Sequence, residues 1–345
     1  MLKIFSKKDI FKKTVFLRVD LNISLKSKES HFRIERVLPT IKKLQNYKAK
    51  IILATHIGRP KFPFQKEFST RFLKNVLSKK LKTEIIYIPD VIGERVESTI
   101  KKSDYGKILL LENLRFYEGE LKNSLPFAKN LSKLAQVYVS DAFSVCHRKQ
   151  ASVYSLPKLL PSFAGPLLFS EVKNLYKIKN NPKHPCIVIL GGKKVDDKVK
   201  SIKGFLKFAD YILVNNLAQI EIQKNYPKLS KNKKIIFPLD TNKDLDIGEK
   251  TIELFSNYIY KAKSVVWSGP LGKFEDKKYA KGSIAVAKTI IKSKAFSVIG
   301  GGQTIEFATK YKFLNKFSFV STGGGAMLHF LAGNPMPGLK ALSEK

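Results

Sequence analysis

The chain has 345 residues and a formal net charge of +36, from 64 Lys and Arg against 28 Asp and Glu. Its length and its 43% hydrophobic content suit two ordinary cores, and no apolar run approaches the length of a membrane span. Because Cys146 and Cys186 are the only cysteines, a disulfide framework and a cysteine zinc site are disfavoured. We expect a cytoplasmic enzyme with no membrane partner.

Short apolar runs alternate with longer amphipathic segments along both halves of the chain. In the first half the pattern predicts strands at Thr14–Asp20, Lys50–His56, Glu84–Ile88, Lys107–Glu112 and Val137–Asp141, and helices at Arg36–Tyr47 and Thr70–Lys80. In the second half it predicts strands at Cys186–Leu190, Tyr211–Val214, Ile235–Leu239, Ser264–Trp267, Phe296–Ile299 and Phe317–Ser321. This alternation predicts an α/β fold with two doubly wound, parallel-sheet, Rossmann-like domains, whose ligands bind beyond the carboxyl ends of the strands.

The two halves are predicted to be joined by a hinge helix. Ser170–Asn181 has a helical pattern that Asn180, Asn181 and Pro182 would end. We therefore expect an N-terminal domain over 1–169, a connecting helix and hinge over 170–182, a C-terminal domain over 183–333, and a tail over 334–345 that packs back on the body.

The positive charge is spread along the chain. We find no block of five or more like charges and no basic segment interleaved with stacking aromatic residues. The spread is typical of a general lysine bias, so a dedicated nucleic-acid role is the less favoured interpretation.

Arginine is rare and does not occur after residue 148. The eight positions are Arg18, Arg33, Arg36, Arg59, Arg71, Arg95, Arg115 and Arg148. An arginine kept in a lysine-rich chain indicates a need for the planar guanidinium, which grips carboxylate or phosphate through two parallel hydrogen bonds. We predict an anion site that contains Arg33, Arg59, Arg115 and Arg148. We interpret Arg18, Arg36, Arg71 and Arg95 as ordinary surface loop residues.

Polar residues cluster just after four predicted strands of the first half. They are Asp20 and Asn22, then His56 and Arg59, then Glu112, Asn113 and Arg115, and finally Asp141, His147 and Arg148. The carboxyl ends of parallel strands meet at one edge, so these side chains should share one rim, joined by Arg33 from the loop after the first strand. His56 and His147 suit hydrogen-bond donation to a phosphate or carboxylate better than metal ligation.

Glycine is concentrated in the second half, where 15 of the 20 glycines lie at or after residue 191. The segment 189–198 runs through Gly191 and Gly192 toward a helix, with Lys194 and Lys198 four residues apart, and glycine-rich strand ends recur at 265–275, 298–308 and 320–333. Glycines let backbone N–H groups approach an anion, and a helix N-terminus favours negative charge. The spacing is not that of a Walker A loop, but the four turns together predict a phosphate cradle.

The ordered set of these motifs resembles the phosphoglycerate kinase family over nearly the whole chain. The motifs are RVDLN, THIGRP, LLENLRFYEGE, the DAF…HR segment, LGG-K-V-DK, DIG-KTIELF, VVW-GP-G-FE, GGG-T and STGGGA…LAG. The resemblance implies that the N-terminal domain binds 3-phosphoglycerate or 1,3-bisphosphoglycerate through Asp20, Asn22, Arg33, His56, Arg59, Arg115, His147 and Arg148. It implies that the C-terminal domain binds ATP or ADP with Mg²⁺ through Gly192, Lys194, Lys198, Glu275, Gly300, Gly301, Gly302, Thr304, Gly323, Gly324 and Gly325.

The resemblance also implies a monomeric glycolytic kinase in which the hinge closes and the phosphoryl group moves in line between carboxylate and nucleotide. Arg33, Lys194 and Lys198 would be the catalytic residues. The acceptor carboxylate is already ionised, so no general base is required, and closure would exclude water from the acyl phosphate.

The chain departs from the family pattern mainly on the nucleotide side. Gln303 stands where the family has a magnesium-binding aspartate, Ser268 where it has asparagine, and Lys193 where it has a small residue. Val214, Asn215 and Asn216 replace a glycine-rich turn, Gln150 replaces a histidine, and the region between Ala218 and Leu245 is short. Two alternatives therefore stay open: a degenerate homologue that binds phosphoglycerate with little or no transfer, and a basic nucleic-acid-binding protein on the same scaffold.

Overall fold

The computed structural model describes residues 2–23, 28–61, 64–193 and 196–343. The chain divides into two compact units, with residues 1–170 and 336–345 in unit 1 and residues 171–335 in unit 2. Each unit contains a six-stranded parallel sheet with helices, which confirms the predicted α/β fold class. None of the described helices is long and apolar enough to cross a membrane.

Unit 1 is built on a sheet of strand order β3-β4-β2-β1-β5-β6. The strands are β1 (Thr14–Val19), β2 (Lys50–Ala54), β3 (Ile85–Ile88), β4 (Ile108–Leu111), β5 (Val137–Asp141) and β6 (Ser162–Ala164). The helices are α1 (Lys7–Ile10), α2 (Lys28–Asn46), α3 (Arg71–Leu81), α4 (Glu94–Lys102), α5 (Glu118–Leu121), α6 (Leu125–Lys133) and α7 (Leu156–Leu159). Every residue of β2, β4 and β5 is buried, as expected for a parallel sheet covered on both faces.

Unit 2 is built on a sheet of strand order β14-β13-β12-β7-β8-β9, beside a small antiparallel pair of β10 and β11. The strands are β7 (Cys186–Leu190), β8 (Tyr211–Val214), β9 (Ile235–Ile236), β10 (Thr241–Asn242), β11 (Asp246–Ile247), β12 (Ser264–Ser268), β13 (Phe296–Gly300) and β14 (Phe319–Ser321). Helix α8 (Pro166–Asn180) begins in unit 1 and ends in unit 2. The helices wholly in unit 2 are α9 (Asp196–Phe205), α10 (Asn216–Asn225), α11 (Pro227–Ser230), α12 (Glu249–Lys261), α13 (Lys281–Ser293), α14 (Gly302–Lys310) and α15 (Gly325–Leu331). The fully buried Trp267 contacts the rings of Phe307 and Phe317 in the core.

Helix α8 begins earlier than the sequence pattern predicts. Proline is favoured at the first helical position, where its missing N–H costs nothing, and Pro166 takes that place. The Asp141 carboxylate accepts a hydrogen bond from the Leu168 N–H at 2.9 Å, which satisfies one of the free donors of the first turn. Because α8 carries residues 170 and 171, the boundary between the units falls inside this helix.

The carboxyl-terminal segment belongs to unit 1. Helix α16 (Pro337–Ser343) contacts the π-helical turn Ala151–Ser155 and α7, and the Gly338 N–H donates to the Cys146 carbonyl at 2.9 Å. A side chain at Gly338 would approach Val153 within 2.6 Å, so the absence of one allows this close packing.

Candidate functional site

The loops that follow β1 and β2 lie side by side at the carboxyl edge of the first sheet. Strands β1 and β2 are paired in parallel up to Arg18 and Ala54, so their following residues leave the sheet together. The Leu21 N–H donates to Thr55 Oγ1 at 2.9 Å, and the Gly58 N–H donates to Asn22 Oδ1 at 2.8 Å. These two bonds fix the loops that carry Asp20 and His56.

Asp20 is a buried carboxylate that orients Arg33. It accepts hydrogen bonds from the Arg33 guanidinium and the Ser144 hydroxyl, and from the Asn22 N–H at 3.0 Å. Burial alone would raise its pKa, but the Arg33 charge and the hydrogen bonds from Ser144 and Asn22 hold the pKa of Asp20 well below its usual range. Arg33 lies in helix α2, not in the loop predicted from the sequence, because the helix begins at Lys28.

Arg18 is not the surface loop residue that we expected. It lies in β1, is fully buried, and donates from Nε to Ser152 Oγ at 3.0 Å and from NH1 to the Val19 carbonyl. Its NH2 group lies 3.2 Å from His56 Nδ1. The surface expectation is wrong because a guanidinium can be buried in an apolar strand where it finds hydrogen-bond acceptors, as Arg18 does in Ser152 and the Val19 carbonyl.

His56 is held neutral and oriented as a donor. Burial lowers its pKa well below the ordinary value, and repulsion from Arg18, Arg115 and Arg148 lowers it further, against the opposing effect of Asp20. A guanidinium can only donate, so His56 Nδ1 must accept from Arg18 and the ring proton must lie on Nε2. His56 can therefore donate a hydrogen bond to an anion at this edge, as the sequence predicts.

Arg115 and Arg148 add two more guanidinium groups to the same edge. Arg115 is 4% exposed and donates from NH1 to the Gly58 carbonyl at 2.6 Å, while its Nε is buried without a hydrogen-bond partner in the described structure. Burial, then repulsion from Arg148 and Arg18, lowers the pKa of Arg115 to about 10. Burial, then repulsion from the exposed Arg59, also lowers the pKa of Arg148.

His147 positions Arg148 in this arrangement. The Arg148 Nε donates to His147 Nε2 at 3.2 Å, so that ring nitrogen is an acceptor and is not available to donate to a ligand. We therefore interpret His147 as a residue that orients Arg148, which differs from the direct ligand contact implied by the family resemblance.

We call Arg18, Arg33, Arg59, Arg115 and Arg148 the arginine cluster. Its nearby carboxylates are Asp20 and Glu120, of which Glu120 is fully buried and accepts from Ser152 N at 2.8 Å and Ser152 Oγ at 2.6 Å. Five guanidinium groups against two carboxylates leave a positive excess in a half-buried site. Such an excess is costly unless an anion binds there.

Other polar residues that we placed on this rim serve the fold instead. Glu112 is buried and accepts from Ser69 Oγ at 2.6 Å, Thr70 N at 2.7 Å and Tyr87 OH at 2.6 Å. Asn113 is buried and donates to the carbonyls of Ile57 and Phe68.

The remaining residues assigned to surface loops are helical. Arg36 lies half-buried in α2, whereas Arg71 and Arg95 are exposed on α3 and α4. Asp141 lies in β5 and caps α8.

The glycine-rich turns of unit 2 meet at the carboxyl edge of the second sheet. Leu190 of β7 and Gly300 of β13 both pair with Ser268 of β12, so the turns after these strands lie together. The Gly191 N–H donates to the Ser268 carbonyl at 3.0 Å, and the Gly192 N–H donates to the Pro270 carbonyl at 2.6 Å.

The Thr304 hydroxyl links two of these turns by hydrogen bonds. Its hydroxyl accepts from the Gly269 N–H at 2.7 Å and donates to the Gly300 carbonyl at 2.9 Å. These contacts occupy the buried hydroxyl. The structure therefore favours a positioning role for Thr304 over the nucleotide contact implied by the resemblance.

Glycine is required at Gly191 and Gly192 for two different reasons. A side chain at Gly191 would collide with the carbonyl groups of Gly269 and Pro270, so the absence of Cβ lets the turns approach. Gly192 has a φ of 82°, in the left-handed region that side chains disfavour. Both positions therefore need glycine for the turn after β7 to take this conformation.

Lys198 and Gln303 face Gly192 from two sides. A Cβ at Gly192 would lie 3.0 Å from Gln303 Oε1 and 3.1 Å from Lys198 Nζ, so the lysine ammonium and the amide oxygen reach the same point. Lys198 also donates to the Gly191 carbonyl. Burial lowers the pKa of Lys198 to about 8.

A cavity of about 220 Å³ opens beside this point. Its lining includes Lys193, Asn215, Asp244, Glu275 and Gln303. Lys193 and Glu275 are exposed. Lys194, the other predicted catalytic lysine, lies outside the described residues.

Two helices begin at the predicted glycine loops. Gly301 is the N-cap of α14, whose first residue is Gly302, and Gly324 is the N-cap of α15, whose first residue is Gly325. Gly300 ends β13, and Gly323 follows β14 by two residues. The free N–H groups in the first turn of α14 therefore lie at the same edge of the sheet as Gly192.

Asn215 and Asn216 are site-forming residues that the glycine pattern could not identify. The Asn215 side chain caps α10 by accepting from the Ala218 N–H at 3.1 Å, and its amide donates to the Gly192 carbonyl at 3.4 Å. The Asn216 amide donates to the Asp244 carbonyl at 3.0 Å. The one local signal is asparagine itself, since it is a favoured N-cap, and Asn215 takes that place at the start of α10.

Comparison with known proteins gives one consistent result. The family model described as phosphoglycerate kinase matches residues 5–220 and 216–334. The phosphoglycerate kinase of Pseudothermotoga lettingae is 36% identical over 386 residues, covering 98% of this chain and 97% of that protein. The phosphoglycerate kinase of Leptospira biflexa is 35% identical over 391 residues, covering 100% of this chain and 99% of that protein.

Solved structures agree. The crystal structure of phosphoglycerate kinase from Pyrococcus horikoshii OT3 matches with a TM-score of 0.86 and 32% identity, over 99% of this chain and 98% of that one. The structure of phosphoglycerate kinase from Coxiella burnetii matches with a TM-score of 0.84 and 31% identity, over 100% of this chain and 99% of that one.

Proposed function

Because the chain belongs to the phosphoglycerate kinase family, we propose that it transfers a phosphoryl group reversibly between 1,3-bisphosphoglycerate and ADP, giving 3-phosphoglycerate and ATP. The family resemblance predicted from the motifs is confirmed. The observation that carries the proposal is the arginine cluster of unit 1, whose positive excess calls for a small polyanion.

We assign the phosphoglycerate to the arginine cluster and its flanking polar residues. Arg59, Arg115 and Arg148 supply guanidinium donors, and His56 supplies a neutral Nε2–H donor. Asn22 presents its amide beside the Gly58 turn, and Asp20 fixes the direction of Arg33. A phosphate and a carboxylate on a short carbon chain match this donor set.

We assign the nucleotide phosphates to the glycine cradle of unit 2, the name we give to the turns at Gly191–Gly192, Gly300–Gly302 and Gly323–Gly325. Lys198 provides a desolvated ammonium at Gly192, and the turns at Gly300–Gly302 and Gly323–Gly325 provide N–H groups at two helix starts. Glu275 and the cavity beside it are assigned to the nucleoside. Lys194 is proposed to act on the transferring group from the same turn.

Positioning and charge neutralisation are the protein's contribution to the chemistry. The carboxylate oxygen of 3-phosphoglycerate attacks the γ-phosphorus in line, the bond to the β-phosphate oxygen breaks, and ADP leaves. Arg33, Lys194 and Lys198 neutralise charge on the equatorial oxygens. We propose that hinge closure after α8 brings the substrates together and excludes water, which would otherwise hydrolyse the acyl phosphate.

The residues present fit a magnesium ion that arrives with the nucleotide. No group of three or more His, Cys, Asp and Glu that could hold a metal occurs within the described ranges, but Mg²⁺ usually keeps several waters and takes few protein ligands. Gln303 Oε1 faces Gly192 and would supply one neutral oxygen. When bound, the ion neutralises charge on the phosphates.

We further propose that the protein acts in glycolysis, in the cytoplasm and as a monomer, as the family resemblance implies. A degenerate homologue is less favoured because Arg33 and Lys198 are kept. A nucleic-acid-binding role is less favoured because the family match covers nearly the whole chain.

A coupled turnover assay with 3-phosphoglycerate and Mg-ATP tests the proposal. We expect turnover that is lost in Lys194→Ala and kept in Lys200→Ala, a matched change at an exposed lysine on α9. Turnover equal in all three proteins would indicate a contaminating kinase. No turnover in the unchanged protein, with phosphoglycerate still bound, would favour the degenerate homologue.

A further inference from the structure

Unit 2 contains a second cavity that the proposed reaction does not use. It has a volume of about 320 Å³ and lies among Lys177, Lys183, Lys263, Lys294, Ser264 and Phe296. We call it the lysine pocket. Its volume is at the lower end of the range for small-molecule sites.

The lysine pocket lies at the opposite edge of the sheet from the glycine cradle. Ser264 and Phe296 are the first residues of β12 and β13, and Lys183 comes shortly before β7. The cradle follows the last residues of the same strands. Five residues of strand separate the two edges by about 15 Å, so the pocket is not part of the nucleotide site.

The charge of the pocket is strongly positive. Four lysines line it, and no Asp or Glu occurs among the described residues that do so. None of these lysines forms an ion pair with a described residue. Asp210, which directly precedes β8, does not pair with these lysines. Its carboxylate accepts a hydrogen bond from Cys186 N at 2.6 Å and lies 2.7 Å from His184 Nδ1.

Helix dipoles offset part of this charge. Lys177 lies in the last turn of α8, and Lys294 is the C-cap of α13. Each helix carboxyl end carries a partial charge of about −0.5, which together cancel about one of the four lysine charges. An excess of about three positive charges remains.

A cation–π contact and a serine hydroxyl add defined geometry to the charge of the pocket. The Lys177 ammonium lies 4.2 Å from the centroid of the Phe296 ring, and this cation–π contact holds the side chain over the pocket. Ser264 is 2% exposed, and its Oγ accepts the Lys183 N–H at 2.9 Å. The hydroxyl hydrogen of Ser264 has no acceptor among the described residues and is left to donate.

From this pocket we infer a further anion site, apart from the two proposed reaction sites, which binds a short oligophosphate such as inorganic pyrophosphate or triphosphate. The ligand must be small because of the volume, and multiply charged because four exposed lysines line the pocket and helix dipoles offset only about one of their charges. Phosphate oxygens would accept from the lysine ammonium groups and from the Ser264 hydroxyl.

A third cavity, in unit 1, can be compared with the lysine pocket. The cavity at the amino edge of the first sheet also has a volume of about 320 Å³ and includes Lys50, Lys101 and Lys133, but Glu97 lines it too. Lys50 is engaged there, since it donates to the Ile100 carbonyl at 2.7 Å. Two exposed lysines of this cavity, Lys101 and Lys133, together with the exposed Lys288 of α13, therefore serve as a matched control for net charge.

Titration calorimetry with inorganic triphosphate tests the inference, at fixed ionic strength and with 3-phosphoglycerate and ADP added in excess to fill the proposed reaction sites. We compare the unchanged protein with Lys177→Gln/Lys263→Gln/Lys294→Gln. The control, Lys101→Gln/Lys133→Gln/Lys288→Gln, removes the same charge from exposed lysines elsewhere. We expect one residual site whose affinity falls about tenfold in the pocket variant and stays within about twofold in the control.

The outcomes separate this inference from the proposed function. Equal weakening in both triple variants would show that binding follows net charge, and no residual binding in the unchanged protein would show that the pocket is empty; either result overturns the inference. If the reaction substrates fail to bind, triphosphate will also fill their sites, but a loss confined to the pocket variant still supports the pocket. Equal melting temperatures for the two variants exclude unfolding as the cause.

Discussion

Arginine and lysine are not equivalent in the arginine cluster. Arg115 has to reach the Gly58 carbonyl and a ligand at once from a nearly buried position, which a fork of five donors allows and a single ammonium does not. Losing one charge-assisted hydrogen bond in such a place costs about 1.5–3 kcal/mol. We predict that Arg115→Lys raises the KM for 3-phosphoglycerate by roughly tenfold to a hundredfold while the KM for ATP changes little.

Arg95→Lys is the control for that substitution, because Arg95 is exposed on α4 and is not part of the arginine cluster. Steady-state kinetics with each substrate varied in turn gives both KM values. A rise in the KM for ATP as large as that for 3-phosphoglycerate would contradict the assignment of Arg115 to the acid.

Lys198 should couple nucleotide binding to proton uptake. Its pKa is lowered to about 8 in the folded chain by burial, from an ordinary 10.5 when unfolded, so between these values the folded chain lacks a proton that the unfolded chain holds. This group therefore adds stability as the pH rises through that window, and it loses its charge above about pH 8. A bound phosphate favours the charged form and reverses the loss.

We predict that the affinity for ADP falls as the pH rises from about 7 to about 9, and that binding near pH 8.5 takes up a fraction of a proton. Calorimetry in buffers with different ionisation enthalpies measures this uptake. It should disappear in Lys198→Gln and persist in Lys200→Gln. Uptake that is unchanged in Lys198→Gln would assign the proton to another group.

Gln303 provides a neutral oxygen where a hard cation prefers a charged one. We predict that the affinity of this chain for ADP depends only weakly on Mg²⁺, and that the affinity of Gln303→Asp depends on it strongly. A carboxylate beside Gly192 would attract the ion, and when no ion is bound it would repel the phosphates of ADP. ADP titrations with Mg²⁺ and with EDTA measure the ratio. Gln303→Asn is the control, and an equal ratio for all three proteins would contradict the role of residue 303.

At the scale of elements, the turn after β7 depends on the absence of a side chain. Gly191→Ala would force a methyl group into the carbonyls of Gly269 and Pro270, and overpacking of this kind costs about 1–3 kcal/mol. We predict a lower melting temperature and a loss of ADP binding. Gly325→Ala, at the start of α15, should leave the melting temperature almost unchanged because no atom lies within 4 Å of the added methyl.

The sequence predicts regular elements where the sheet is fully buried. The predicted strands Val137–Asp141, Cys186–Leu190 and Tyr211–Val214 have the observed ends, because apolar β-branched runs bounded by polar residues leave little choice. The predicted strand Ile235–Leu239 is wrong beyond Ile236, and the prediction omits β6, β10 and β11. These strands are two or three residues long, too short to show a period.

The functional site was less predictable than the strands. Strand ends locate Asp20, His56 and Arg115 because the carboxyl edge of a parallel sheet is a general place for ligands. The pairing of Asp20 with Arg33 from α2, and of Arg18 with His56 across two strands, depends on long-range packing that no local pattern encodes. For the same reason Glu112 and Asp141 could not be recognised as internal to the fold.

At the scale of the whole molecule, two compact units each have their own sheet and core. Unit 1 carries the arginine cluster, and unit 2 carries the glycine cradle. In the proposed reaction neither site alone performs the transfer, because the arginine cluster is assigned to the acceptor and the glycine cradle to the donor. The division into a hinge at 170–182 and the exact domain limits stay predictions.

We propose that these two sites act together to move the γ-phosphoryl group from ATP to a carboxylate. The most direct measurement is a rapid-quench experiment with γ-³²P-labelled ATP and 3-phosphoglycerate, in which hydroxylamine identifies the product by cleaving acyl phosphates. We predict hydroxylamine-sensitive label on the acid, absent without 3-phosphoglycerate and absent in Lys198→Ala. Label that appears only as inorganic phosphate, or that stays in ATP, would contradict the claim.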